Sequence, residues 1–181
     1  GNAQYDTGQA ATGMTSSGQF DGTGDGVRAA SHANWDLALQ DFVIDFYARW
    51  SSGGGTLLDR RAAADIQNWA CSGTFLCKFT DASSMWGTGP SFGLVANEWH
   101  HYALVRTSGT FRTFKEGLLV GTNASHTAKA IENVAASMTI GMNGVGTEAV
   151  VAHFGPVRIT LGSDRGWSGG FTAPSAPFPT S

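Results

Sequence analysis

Asp41-Phe-Val-Ile-Asp-Phe-Tyr-Ala-Arg-Trp50 decides the fold of this 181-residue chain. Phe42, Ile44, Phe46, Ala48 and Trp50 recur at every second position, and Val43, Asp45, Tyr47 and Arg49 form a mixed opposite set. A period of two with aromatic and β-branched content marks a half-buried strand, because successive side chains leave a strand on opposite faces. The pattern returns in Glu98-Trp-His-His-Tyr-Ala-Leu-Val-Arg106, where Trp99, His101, Ala103 and Val105 alternate with His100, Tyr102, Leu104 and Arg106. It returns again at Phe75, Cys77 and Phe79. Further strands are expected over 55–61, 66–72, 110–115, 118–122, 138–142 and 150–161. Ser108-Gly109 and Glu116-Gly117 separate strand-like runs and carry glycine where a tight hairpin needs positive φ. The run 60–65, preceded by Asp59, lacks apolar i, i+4 spacing and reads as a turn rather than a helix.

Many short strands with glycine-marked turns and no βαβ rhythm predict an all-β, two-sheet antiparallel sandwich. Its expected core is Phe42, Ile44, Phe46, Trp99, Ala103, Val105, Ile140 and Ile159. Residues 1–18, small and polar, read as an N-terminal arm or linker, leaving 19–181 as one domain. The segment 171–179 holds three of the five prolines and is expected to be extended. With 11 Lys+Arg against 14 Asp+Glu, the net charge of −3 gives no footprint for nucleic acid. No apolar run approaches the ~20 residues of a membrane helix.

Phe20-Asp-Gly-Thr-Gly-Asp25, the 42–50 strand and Trp99-His-His-Tyr-Ala-Leu-Val-Arg106 together resemble the concanavalin A-like lectin/glucanase superfamily in its laminin-G-like branch. Phe114-Lys-Glu-Gly-Leu-Leu-Val-Gly121 is similar to that branch's hairpin. Pro156-Val-Arg-Ile-Thr160, Arg165-Gly-Trp167 and the proline-rich end are similar to the closing segment of such domains in tailed-phage virion proteins. The resemblance runs in order from Phe20 to Pro179. It implies a two-sheet jelly roll, a carbohydrate-binding or adhesive module, and in some members calcium at a rim.

The same superfamily holds glycosidases, which need two carboxylates flanking the scissile bond. Laminarinase-like enzymes set them in a Glu-x-Asp-x-Glu pattern, and none of Glu98, Glu116, Glu132 and Glu148 stands two residues from an aspartate. Asp41 and Asp45 read as strand-edge solvent contacts. Gly89-Pro-Ser-Phe-Gly93 matches G-x-S-x-G, but a nucleophile elbow needs a strand before the serine and a helix after it. His100 and His101, being adjacent, point to opposite faces of a strand and cannot share one metal. Cys71 and Cys77 read as two small buried thiols. A bridge requires a five-residue loop that takes Phe75 and Leu76 out of the strand. Asp21 and Asp25, in a glycine-rich loop, are the candidate calcium ligands. Gly155-Pro156 stands where relatives carry acidic residues, so no cofactor is expected.

Six tryptophans remain to be placed. Trp50 and Trp99 sit in apolar phase. Trp35, Trp69, Trp86 and Trp167 fall near loops or strand ends, where an indole can stack on a sugar ring. The expected ligand site is therefore Trp69 and Trp86 with Asn68 and Arg60 as hydrogen-bonding partners. The expected partner is a glycan or host-surface polysaccharide, with other virion proteins as a further one. The expected setting is a virion or the extracellular space. The alternatives are a purely structural virion decoration or assembly domain, and a glycoside hydrolase with a non-standard acid pair.

Overall fold

The computed structural model describes residues 2–52, 54–61, 69–72, 77–81, 84–87, 91–133, 135–175 and 178. Among the described residues the regular structure is thirteen strands and one 3-10 turn: β1 (Gln4–Asp6), β2 (Ser17–Asp21), β3 (Val27–Ala29), the 3-10 turn (Ala33–Trp35), β4 (Phe42–Ser52), β5 (Thr56–Asp59), β6 (Trp69–Ser72), β7 (Cys77–Asp81), β8 (Ser84–Gly87), β9 (Trp99–Thr107), β10 (Thr110–Lys115), β11 (Leu118–Asn123), β12 (Met138–Ile140) and β13 (Val151–Leu161). A seven-stranded sheet runs β1-β2-β13-β4-β9-β10-β11, and a six-stranded sheet runs β3-β12-β5-β6-β7-β8. Every pairing is antiparallel. The described residues thus form an all-β sandwich of two antiparallel sheets.

The 42–50 alternation lands as expected. Phe42, Ile44, Phe46, Ala48 and Trp50 all enter the inter-sheet core, with Leu57, Leu58, Trp69 and Cys71 from the other sheet. Phe46 packs edge-on against Phe92 at 5.7 Å and lies beside Tyr102 at 5.8 Å. The two expected hairpins are also present. Ser108 and Gly109 have φ +47° and +79°, and Glu116 and Gly117 have φ +52° and +74°, so both central residues of each turn are left-handed. That matches the twist of the flanking strands.

β9 corrects the phase expected from its sequence. Its core-facing residues are Tyr102 and Leu104, with the buried Arg106 in the same phase. Ala103 and Val105 are buried on the other side of the sheet, in a second cluster with Val43 and Phe114. Trp99, in the same phase, is only partly buried. The cause is the chain's C-terminal segment, which crosses the outer face and packs Trp167 and Phe171 onto that cluster. Both faces of β4 and β9 therefore carry buried residues, and alternation alone cannot tell them apart.

Gly117 permits the crossing. A Cβ there would come 1.8 Å from the carbonyl oxygen of Phe171, whose N–H donates to the Gly117 carbonyl at 3.1 Å. The 1–18 stretch also contributes to the sheet: β1 is an edge strand, and β2 begins at Ser17.

Cys71 is disulfide-bonded, against the expectation of free thiols. In the β6–β7 ladder its Cα partner is Cys77, the chain's other cysteine. Directly opposed antiparallel residues lie ~4.5–5.5 Å apart, within bridging range. The residues between Ser72 and Cys77, on which the loop expectation for Phe75 and Leu76 falls, lie outside the described residues.

Candidate functional site

The outer face of the seven-stranded sheet carries the chemistry. At its centre Asp45, wholly buried, binds the Arg158 guanidinium through two bonds of 3.0 and 2.7 Å and pairs with His101 Nε2 at 3.0 Å. This corrects the expectation that Asp45 meets solvent: β13 and β9 flank β4 and bring both partners beside the carboxylate. Asp41, in contrast, accepts the Ser108 N–H at 2.7 Å and so fixes a turn. Over the Asp45 cluster lie Trp167 and Phe171, stacked at 3.7 Å and 9°, while Phe178 sits 4.0 Å from the Arg158 guanidinium carbon. The Tyr47 hydroxyl donates to the Pro174 carbonyl. Burial, together with Glu116 and Asp45 nearby, raises the Tyr47 phenol above its ordinary range, against an opposing pull from Arg158.

Beyond this strap the face opens into a groove of about 440 Å³ lined by Tyr47, Trp99, His100, Glu116, Pro174 and Ser175, closed at one side by Ala11 and Thr12. Trp99 and Tyr47 supply rings, and Glu116 supplies a fixed acceptor. Its Oε1 takes the His101 N–H at 2.8 Å and lies 3.1 Å from His100 Nδ1. Glu98 meets the other nitrogen of His100 at 3.2 Å. The imidazole therefore fills the space between the two glutamates. A second groove, about 360 Å³, is lined by Tyr5, Met14, Ser16, Ser17, Phe154 and Pro156. Tyr5 is 74% exposed there.

The residues singled out from sequence fall elsewhere. Trp69 is wholly buried in the core, and Arg60, 2% exposed, donates to Asp36, Asn133 and the Trp35 carbonyl. Neither presents a surface to a ligand. Trp86 is placed by its backbone in β8, opposite Phe79, and Asn68 lies outside the described residues. Trp69 and Trp86 are thus on strands separated only by β7. Trp99, expected in the core, and Glu116, expected only as a turn residue, are the ones the structure brings together. The signal available in the sequence was an acidic residue at a tight turn beside a strand with two adjacent histidines.

Asp21 and Asp25 do not make a calcium set by themselves. Asp25 Oδ2 accepts the Asp21 N–H at 3.0 Å and Asp21 Oδ1 accepts the Thr23 N–H at 2.7 Å, while calcium takes six to eight oxygens. Asp25 Oδ1 is buried without a partner among the described residues. No group of three or more His, Cys, Asp or Glu suited to a metal occurs among the described residues.

Two serines test the nucleophile idea. Ser91 Oγ accepts the Gly93 N–H at 3.1 Å, and the chain continues as irregular loop rather than helix. Ser17 Oγ lies 3.3 Å from His153 Nδ1, and Asp6 Oδ2 approaches the same nitrogen at 3.5 Å. A relay needs the hydroxyl and the carboxylate on opposite nitrogens, so this trio cannot pass a proton along. Burial lowers the His153 pKa below 6.5, partly offset by Asp6.

No protein-family model and no curated protein matches the chain. Solved structures do. The binding domain of paraclostridial mosquitocidal protein 1 aligns with TM-score 0.64 and 12% identity over 87% of this chain and 42% of that one. Domain 4 of AbnA, a GH43 extracellular arabinanase from Geobacillus stearothermophilus solved with arabinotriose, aligns with TM-score 0.64 and 14% identity over 95% and 78%. The binding domain of botulinum neurotoxin serotype D/C aligns with TM-score 0.62 and 15% identity over 90% and 43%. The chain spans about two fifths of the toxin binding domains it matches. At these identities the likeness is one of fold: this chain is built as the same kind of two-sheet β-sandwich.

Proposed function

We propose that the chain is a non-catalytic carbohydrate-binding or adhesion module of a phage-type virion protein, and that glycan lies in the Trp99–Tyr47 groove. The groove itself carries the proposal. It sets aromatic rings beside a carboxylate held by a backbone N–H and an imidazole, which supplies the apolar face and polar edge that a sugar ring needs. The three domains above support it by analogy of fold, and the resemblance of the closing segment to virion proteins supports the setting. The bridged Cys71 supports maturation in an oxidising compartment. Absence of catalysis is supported by the paired glutamates, whose intervening space is occupied by His100 instead of a scissile bond.

Glycan-array binding of the intact protein and of Trp99→Ala tests this. Retained melting temperature with lost glycan signal is expected. Unchanged binding moves the site away from the groove, and Trp86→Ala then tests the six-stranded sheet, where Trp86 stays proposed as a stacking residue. Hydrolysis of a β-glucan by the wild type would overturn the non-catalytic assignment.

A further inference from the structure

The charge pattern of the groove restricts its occupant. Among the described residues that line it, Glu116 is the one carboxylate and none is Lys or Arg. The carboxylate is held in place through Oε1, while no hydrogen bond among the described residues engages Oε2. Its side chain is 44% exposed, so that oxygen is within reach of a ligand. Glu98 adds a second carboxylate behind His100. An acidic sugar would bring its carboxylate against these with no Lys or Arg among the described lining residues to receive it, and like charges repel. An ammonium gains twice: a charge-assisted bond to Glu116, and attraction to the partly exposed indole of Trp99.

Resting on the carbohydrate reading above, we propose that the groove selects an amine-bearing saccharide, a 2-amino-2-deoxyhexose unit whose ammonium faces Glu116, over N-acetylated and acidic sugars. Calorimetric titration of the intact protein with fully deacetylated chitotetraose, its tetra-N-acetyl form and tetragalacturonate, at about pH 6 where the amine is charged, tests it. The deacetylated tetramer is expected to bind about tenfold tighter than the acetylated one. That preference is expected to shrink as salt is raised, and Glu116→Gln is expected to equalise the two. Should Glu116→Gln fail to fold, the salt dependence of the wild type decides. Equal binding of the two chitotetraoses, a salt-independent preference, or tightest binding of tetragalacturonate overturns the amine selection and leaves the carbohydrate reading standing. Binding of none of the three, together with a silent glycan array, overturns both.

Discussion

Replacing Asp45 by Asn separates a buried ion cluster from a strand-edge carboxylate. The substitution keeps the shape, removes the charge, and turns one acceptor into a donor aimed at a donor. Asp45 and His101 have no exposed side-chain surface, and Arg158 has 15%. Three bonds are lost or weakened at once, two to Arg158 and one to His101. Breaking one side of a buried pair costs about 3–5 kcal/mol, chiefly because the remaining charge is left uncompensated. For a domain of this size each kcal/mol moves Tm by about 2–4 °C, so a drop of about 6–20 °C is expected by calorimetry. Because Arg158 also carries Phe178, the strap should loosen, and tryptic cleavage after the exposed Arg165 should quicken. Converting the trio together, Asp45→Leu with His101→Leu and Arg158→Met, should recover most of the loss, since hydrophobic replacement of buried ion clusters is often neutral or better. A cost for Asp45→Asn under ~1 kcal/mol, the value of an exposed pair, would refute the account.

Trp69→Ala should cost ~3–5 kcal/mol as a large core truncation, whereas Trp99→Ala, at the groove, should cost far less; urea unfolding of both variants checks the contrast. His153 has its pKa lowered by burial below the ordinary 6.5, so the unfolded chain binds that proton more readily. Stability should therefore fall as pH drops through about 6.5, and His153→Gln should flatten that limb of a pH–Tm curve. At the alkaline end Tyr102, pushed up to about 12 by burial, ionises first in the unfolded chain, so stability should decline above pH ~10 and less so in Tyr102→Phe. Calcium should leave Tm nearly unchanged; a steep rise with added calcium and a fall with chelator would show a site that Asp21 and Asp25 complete.

Elements that carry their information locally were legible. β4 and β10 follow from alternation, and the Ser108-Gly109 and Glu116-Gly117 turns follow from glycine placement, because period and turn geometry are properties of neighbouring residues. β1, β2 and β3 were missed: they are three to five residues long, too short to show a period, and each exists because a neighbouring strand offers it an edge. The disulfide was undervalued for a related reason. The residues between the two cysteines carry no signal of their opposition, because the register that sets Cys71 against Cys77 comes from pairing across the β6–β7 ladder.

The site was less legible than the fold because it depends on what covers a face. In β9 the 99, 101, 103, 105 phase is more apolar at its C-terminal half than a solvent face should be, and the sequence offers no local clue that Trp167 and Phe171 return to cover it. Taking that phase as core put Trp99 inside and pushed the search for stacking rings to Trp69, which sits in the real core. Once the strap is seen, the same alternation acquires a gradient. Ala103 and Val105 lie under Trp167 and Phe171, His101 lies under Phe178 beside a buried carboxylate, and Trp99 emerges where Pro174 and Ser175 form the groove's rim. One strand face thus runs from packed apolar, through a buried ion cluster, to an open aromatic groove.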